Sequence, residues 1–184
     1  MIVVIQCAAK KTRNAGHLCY QNGQNVLFVA EPGSAPVSAG TKYARPDDVA
    51  DTGSSWRNEL IRYNEAPTNN PLGLVPAWQL YKNPAYGFLA KTYGLEKLYI
   101  LSAGWGLIAA DFLTPVYDIT FSSSADAYKR RRNKDRYDDL CMLPSNSDEP
   151  VVFFGGKDYI SLFWAMLYLT NQRGETLRVV GSGL

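Results

Sequence analysis

The sequence predicts an α/β domain in which strand and helix alternate around a central, mostly parallel sheet of about four strands. Residues 2–5, 98–101 and 151–154 are short, unbroken apolar runs rich in branched and aromatic side chains, as in strands covered on both faces. Residues 177–180 form a weaker fourth run. Helical stretches lie between the runs, the order of a doubly wound sheet. The 184 residues fit one domain able to bury roughly two thirds of its unfolded surface.

Taken along the chain, the first run is followed by a segment, about 16–53, rich in Gly, Pro, Ser and Ala. Only residues 26–29 read as a strand there, so the segment is either a β-ribbon with long arms or a mobile lid. Ser55 caps a helix through Asn64, with Trp56, Leu60 and Ile61 on its apolar side and Arg57 and Arg62 pointing elsewhere. Asn83 and Pro84 give the next helix its cap and first turn, and Gly94 closes it. Its core stripe is Phe88, Leu89 and Tyr93. A further helix is expected over about 126–142. Residues 157–171 form the last, apolar on most sides and therefore expected at the centre.

Composition narrows the function classes. Lys and Arg number 19 against 17 Asp and Glu, a formal charge of +2, which neither demands nor forbids a polyanionic partner. Cys7, Cys19 and Cys141 are odd in number and far apart, which argues against a disulfide framework and offers no zinc-ligand spacing. The expectation is reduced thiols in a cytoplasmic protein with no metal and no cofactor. The first residues have no basic lead, and the longest apolar stretch, 159–169, falls short of the roughly 20 residues that span a bilayer, so no membrane partner is expected.

Three strands end in loops of unusual composition. They carry Cys7, Lys10 and Lys11; then Ser102, Gly104, Trp105 and Gly106; then Gly155, Gly156 and Lys157. Ligands of open parallel sheets bind at these carboxyl ends, so the loops are expected to meet. Gly155 and Gly156 before a helix suit either a phosphate or tight strand-to-helix packing. Lys10 and Lys11 can bind phosphate, act as an amine nucleophile if desolvated, or simply lie in solvent. Trp105 on a glycine-flanked turn reads as a platform for a nucleobase or as a plug of the sheet end.

Acid–base candidates are few. His17, the only histidine, lies in the Gly-rich arm, which makes a histidine-based mechanism improbable. Asp111 and Asp118 follow the Gly-Trp-Gly turn, and either can polarise water or stabilise a developing cation, or cap a turn. Residues 129–136 carry six cations, Lys129, Arg130, Arg131, Arg132, Lys134 and Arg136, against one anion. With Tyr128 and Tyr137 at its flanks, this block suits a nucleic-acid backbone; a solvated helix face is the plainer reading.

Cys7 with Lys10 and Lys11, Leu80 and Tyr81, residues 100–107, and Tyr117 and Asp118 together resemble a family of small bacterial and phage domains. The same order of motifs is similar to the peroxide-stress YaaA proteins and to the uracil-DNA glycosylase-like domain of archaeosine synthase. The resemblance covers about two thirds of the chain and leaves out the 16–53 arm. It implies a three-layer α/β sandwich of uracil-DNA glycosylase type and a DNA glycosylase that excises a modified base, with hypermodified cytosine of phage DNA the candidate, in phage defence. Duplex DNA would be the partner, Asp118, Asp111 and Lys10 the catalytic candidates, and Cys7, Lys11, Ser102, Gly104, Trp105, Gly106, Tyr117, Gly155, Gly156 and Lys157 the substrate contacts. The Gly-Gln-Asp-Pro-Tyr-His and His-Pro-Ser motifs of uracil glycosylases are absent. A non-catalytic DNA-binding protein of the YaaA type and a tRNA or nucleoside base-modifying enzyme are the competing expectations.

Overall fold

The computed structural model describes residues 1–12, 14–66, 69–145, 147–171 and 179–181. In chain order the elements are β1 (Ile2–Gln6), β2 (Asn25–Phe28), β3 (Thr41–Ala44), α1 (Trp56–Glu65), β4 (Val75–Pro76), α2 (Ala77–Leu80) and α3 (Pro84–Tyr93). There follow β5 (Leu98–Ser102), β6 (Gly106–Ala109), β7 (Leu113–Thr114), β8 (Leu140–Cys141), β9 (Val151–Phe154), α4 (Ile160–Asn171) and β10 (Val179–Gly181). Leu177 and Arg178, the start of the fourth apolar run, lie outside the described residues.

The main sheet has the order β10-β9-β1-β5-β6-β8. Its first four strands are parallel, with Val4 of β1 opposite Tyr99 on one side and Phe153 on the other. This is the mostly parallel sheet the sequence predicts, but β6 turns back antiparallel on β5 and β8 runs alongside β6, making six strands rather than four. The strands are two-sided because both faces are covered. Val3 and Leu98 pack with Leu89 of α3, while Ile2 and Val4 belong to the larger core with Trp56 and Leu60 of α1 and Leu162, Phe163 and Met166 of α4.

Local signals fixed two helices. Ser55 accepts from Asn58 N at the start of α1, Asn83 accepts from Ala85 N at the start of α3, and Gly94, at φ +82°, closes α3. The faces differ from expectation. α3 buries Tyr86 and Leu89 and leaves Phe88 67% exposed. On α1, Ile61 is only half-buried, and Arg57, expected to point away, is 2% exposed. α4 is not central: it turns Leu162, Phe163, Met166 and Leu167 inward and leaves Trp164, Tyr168 and Leu169 exposed on the surface.

The helix expected over 126–142 does not form. A single 3-10 turn, Ala127–Lys129, leads into extended chain. Backbone pairing explains it: Arg131 N donates to Thr120 O, Thr120 N to Lys129 O, and Leu140 N and Met142 N to Trp105 O and Leu107 O. Edge bonding of this kind outweighs weak intrinsic helix propensity. The 16–53 segment is the ribbon rather than a lid, with β2 and β3 paired in parallel and Val26, Phe28 and Ala44 buried in the main core. Among the described residues no helix is long and apolar enough to cross a membrane.

Candidate functional site at the carboxyl ends of the strands

The three loops do meet. Cys7 N donates to Leu101 O, joining the first loop to the second, and Gly156 N donates to Gln6 Oε1 at 2.6 Å, joining the third to the first. Parallel register puts all three strand ends on one edge of the sheet. Between them lies a buried polar cluster. Ser102 Oγ donates to Tyr117 Oη at 2.9 Å, Tyr117 Oη lies 2.8 Å from Tyr81 Oη, and Cys7 Sγ lies 3.2 Å from Tyr159 Oη. Burial pushes the Tyr81 and Tyr117 phenols well above their ordinary range, so both stay protonated at neutral pH.

The loop from Ser102 to Gly106 is a tied-down hub. Gly104 N and Trp105 N donate to Ser102 Oγ, and Ala103 N donates to Cys7 Sγ. Its carbonyls are held by two buried arginines: Arg131 donates to Ala103 O at 2.9 Å, and Arg57 to Gly104 O at 3.1 Å and Trp105 O at 3.0 Å. The guanidinium fork suits this, since it presents several donors in one plane. Asp47 neutralises Arg57, and Asp139 pairs Arg131 through both oxygens. With its amides already used, the loop offers no row of free donors to an anion.

The glycines follow from the same packing. A Cβ on Gly104 would stand 3.2 Å from the Tyr117 ring, and one on Gly106, at φ +90°, would collide with the Leu140 backbone. At Gly155 the Phe153 ring occupies the space of a Cβ, which favours the packing reading there, whereas a Cβ on Gly156 would make only ordinary contact, 3.6 Å from Gln6 Oε1.

Trp105 is not a base platform. Its ring is 0% exposed, set edge-on to Phe28 at 5.0 Å and to Tyr117 at 6.4 Å, with the Arg57 guanidinium 5.6 Å away. It plugs the sheet end. Asp111 is also displaced from the site. Because β6 reverses, Ala109 lies opposite Tyr99 and Ala110 N donates to Leu98 O, so Asp111 sits at the amino end of β5, the far edge of the sheet. Lys10 and Lys157 are exposed on the adjoining loops.

What remains at the mouth of the cluster is Lys11, Asp118 and Lys129. Lys11 Nζ lies 4.3 Å from the Tyr117 ring centre, and Lys11 bridges backbone to backbone with Tyr81. Burial lowers its pKa from the ordinary lysine value, and Cys7 and, less, Asp118 partly offset this. Asp118 is anchored by its amide, which donates to Phe28 O, and its carboxylate meets Lys129 Nζ at 3.1 Å. The Asp126 carboxylate, 2.9 Å from Lys129, and Asp118 hold the Lys129 pKa up.

The basic block is therefore divided. Lys129, Arg131 and Arg132 are taken up by carboxylates, Arg132 through Glu31 and Asp135. Arg130, Lys134 and Arg136 make no ion pair among the described residues. Arg57 and Tyr159 were not legible as site residues, and Arg131, expected on a nucleic-acid backbone, instead holds Ala103 O: nothing in spacing marks an arginine such as Arg57 that will bond a carbonyl 47 residues away. Comparison with family models, curated proteins and solved structures returns no match.

Proposed function

We propose that the chain is a DNA glycosylase that removes a modified base, the candidate being hypermodified cytosine of phage DNA, and that the strand-end cluster is its active site. The observation that carries this is the placing of Lys11 Nζ 4.3 Å from the ring of Tyr117, which bonds Ser102 and Tyr81 and is followed in the chain by Asp118, whose carboxylate is held by Lys129. Cleavage of an N-glycosidic bond needs a carboxylate beside an oxocarbenium-like centre and a donor for the departing base. Asp118 fills the first role, held in place by Lys129. Lys11 fills the second, since a lowered pKa favours giving up its proton.

The balanced step adds water to C1′ as the C1′–N bond breaks. One proton of the water passes to Asp118 and the base leaves with the proton of Lys11, giving free base and an abasic site. The target base must first leave the duplex, at a cost of about a few kcal/mol. A mostly parallel sheet covered on both faces supports the uracil-DNA glycosylase-like architecture that the motif resemblance implies. Asp111, at the far edge of the sheet, and the buried Trp105 have no part in the reaction.

Arg130, Lys134 and Arg136, which make no ion pair among the described residues, equally favour a second reading, a DNA-binding module without catalysis. Duplex DNA carrying modified cytosines, treated with the protein and then with alkali, separates the two. Strand cleavage that Asp118→Ala abolishes while DNA affinity is retained supports the enzyme. No cleavage with any base tried overturns it, and tighter binding of RNA than of DNA would point instead to a tRNA-base enzyme.

A further inference from the structure

A groove of about 500 Å³ runs between residues 131–139 and α4, on the other side of the Arg131 and Phe121 wall from the strand-end cluster. Its volume is that of a small-ligand site. One wall is apolar and aromatic: Phe121, with Leu162, Ala165, Met166, Tyr168 and Leu169 of α4. The opposite wall is polar, and its carboxylates differ in availability. Asp139 is spent on Arg131 and Asp135 on Arg132, whereas Asp138, beside the likewise exposed Arg136, makes no ion pair among the described residues.

A second, smaller pocket of about 180 Å³ shares Phe121, Arg131 and Asn133 with the groove. Its character is cationic, with Arg130 and Arg132 facing Asp158. Arg132 is already held by Glu31 and Asp135, but the Arg130 guanidinium bonds the Ser123 carbonyl, at 3.2 Å, and makes no ion pair among the described residues.

An aromatic slot with a carboxylate, joined to a pocket with a guanidinium, is complementary to one chemical class. We propose that the groove binds a nucleotide whose base carries an exocyclic amine. The base lies against the Tyr168 and Leu169 wall and donates its amine to Asp138, and the phosphate reaches Arg130. A carboxylate accepts from such an amine as it does from cytosine N4, and arginine suits phosphate. This site stands on the groove alone and does not depend on hydrolysis at the strand ends.

Isothermal titration of the whole chain tests it. dCMP binds at least about tenfold more tightly than deoxycytidine, inorganic phosphate or TMP. Ala165→Trp, which fills the slot from an exposed helix position, and Arg130→Glu each weaken dCMP at least about tenfold. Asp138→Ala, at an exposed position that leaves the core untouched, removes the preference for dCMP over TMP and keeps the test sound should Ala165→Trp fail to fold. A short oligodeoxycytidylate binding more tightly than dCMP places the nucleotide within a strand, and equal affinity makes it a free nucleotide. No dCMP binding at millimolar concentration, binding matched by phosphate alone, or affinity and selectivity unchanged in Arg130→Glu and Asp138→Ala overturns the proposal.

Discussion

Arg57→Met is the sharpest test of how the strand-end loop is built. The methionine stem keeps most of the buried packing but removes the donors to Gly104 O and Trp105 O and frees Asp47. Trp105 O keeps a bond from Leu140 N, so Gly104 O bears the larger loss. An orphaned buried acceptor costs about 1–3 kcal/mol, and a broken buried ion pair about 3–5 kcal/mol. Asp47 stays partly hydrated at 18% side-chain exposure, which reduces the second figure. The expected loss is therefore about 4 kcal/mol, or a melting temperature lower by roughly 10 °C for a domain of this size. Urea unfolding followed by far-ultraviolet circular dichroism measures it. Arg57→Lys should lose nearly as much, because an ammonium lacks the planar fork that serves Asp47 and both carbonyls. A loss under about 1 kcal/mol in Arg57→Met would mean that the loop is held by the Ser102 and Cys7 bonds alone, and the hub described above would be wrong.

Gly106→Ala should cost about 2 kcal/mol or more, because φ is +90° and the new methyl meets the Leu140 backbone; chemical denaturation checks it, and a neutral result would show that β8 moves freely. Lys11→Met should raise stability at pH 7 while abolishing base release. The folded-state pKa of Lys11 is lowered, so its burial cost is fully present below that pKa and fades as pH rises toward 10.5; the variant's thermal advantage should shrink over that alkaline range. Glu149, paired with Lys97, has its pKa lowered from 4.5 to about 2. Its contribution is present above 4.5 and lost as pH falls toward 2, so melting curves of wild type and Glu149→Gln should converge across that acid window.

What could be read from the chain alone was local. The apolar runs of β1, β5 and β9 are long enough and apolar enough to be strands in almost any context, and Ser55, Asn83 and Gly94 punctuate helices through bonds to their own neighbours. That the three strand-end loops converge also followed from the sequence, since parallel strands joined by helices must place those ends on one edge. The tertiary structure decided everything that depends on distant partners. Trp105 and Asp111 lost their expected roles through the reversal of β6 and the closing of Phe28 and Tyr117 around the indole. The stretch 126–142 lost its helix because its backbone found partners at Thr120, Trp105 and Leu107. Half of its basic block proved to be structural, since a cation's availability depends on which carboxylates the fold brings within reach. Burial and pairing are properties of the whole fold, and they turned the Ser102 to Gly106 loop from a presumed ligand platform into the knot that holds the site together.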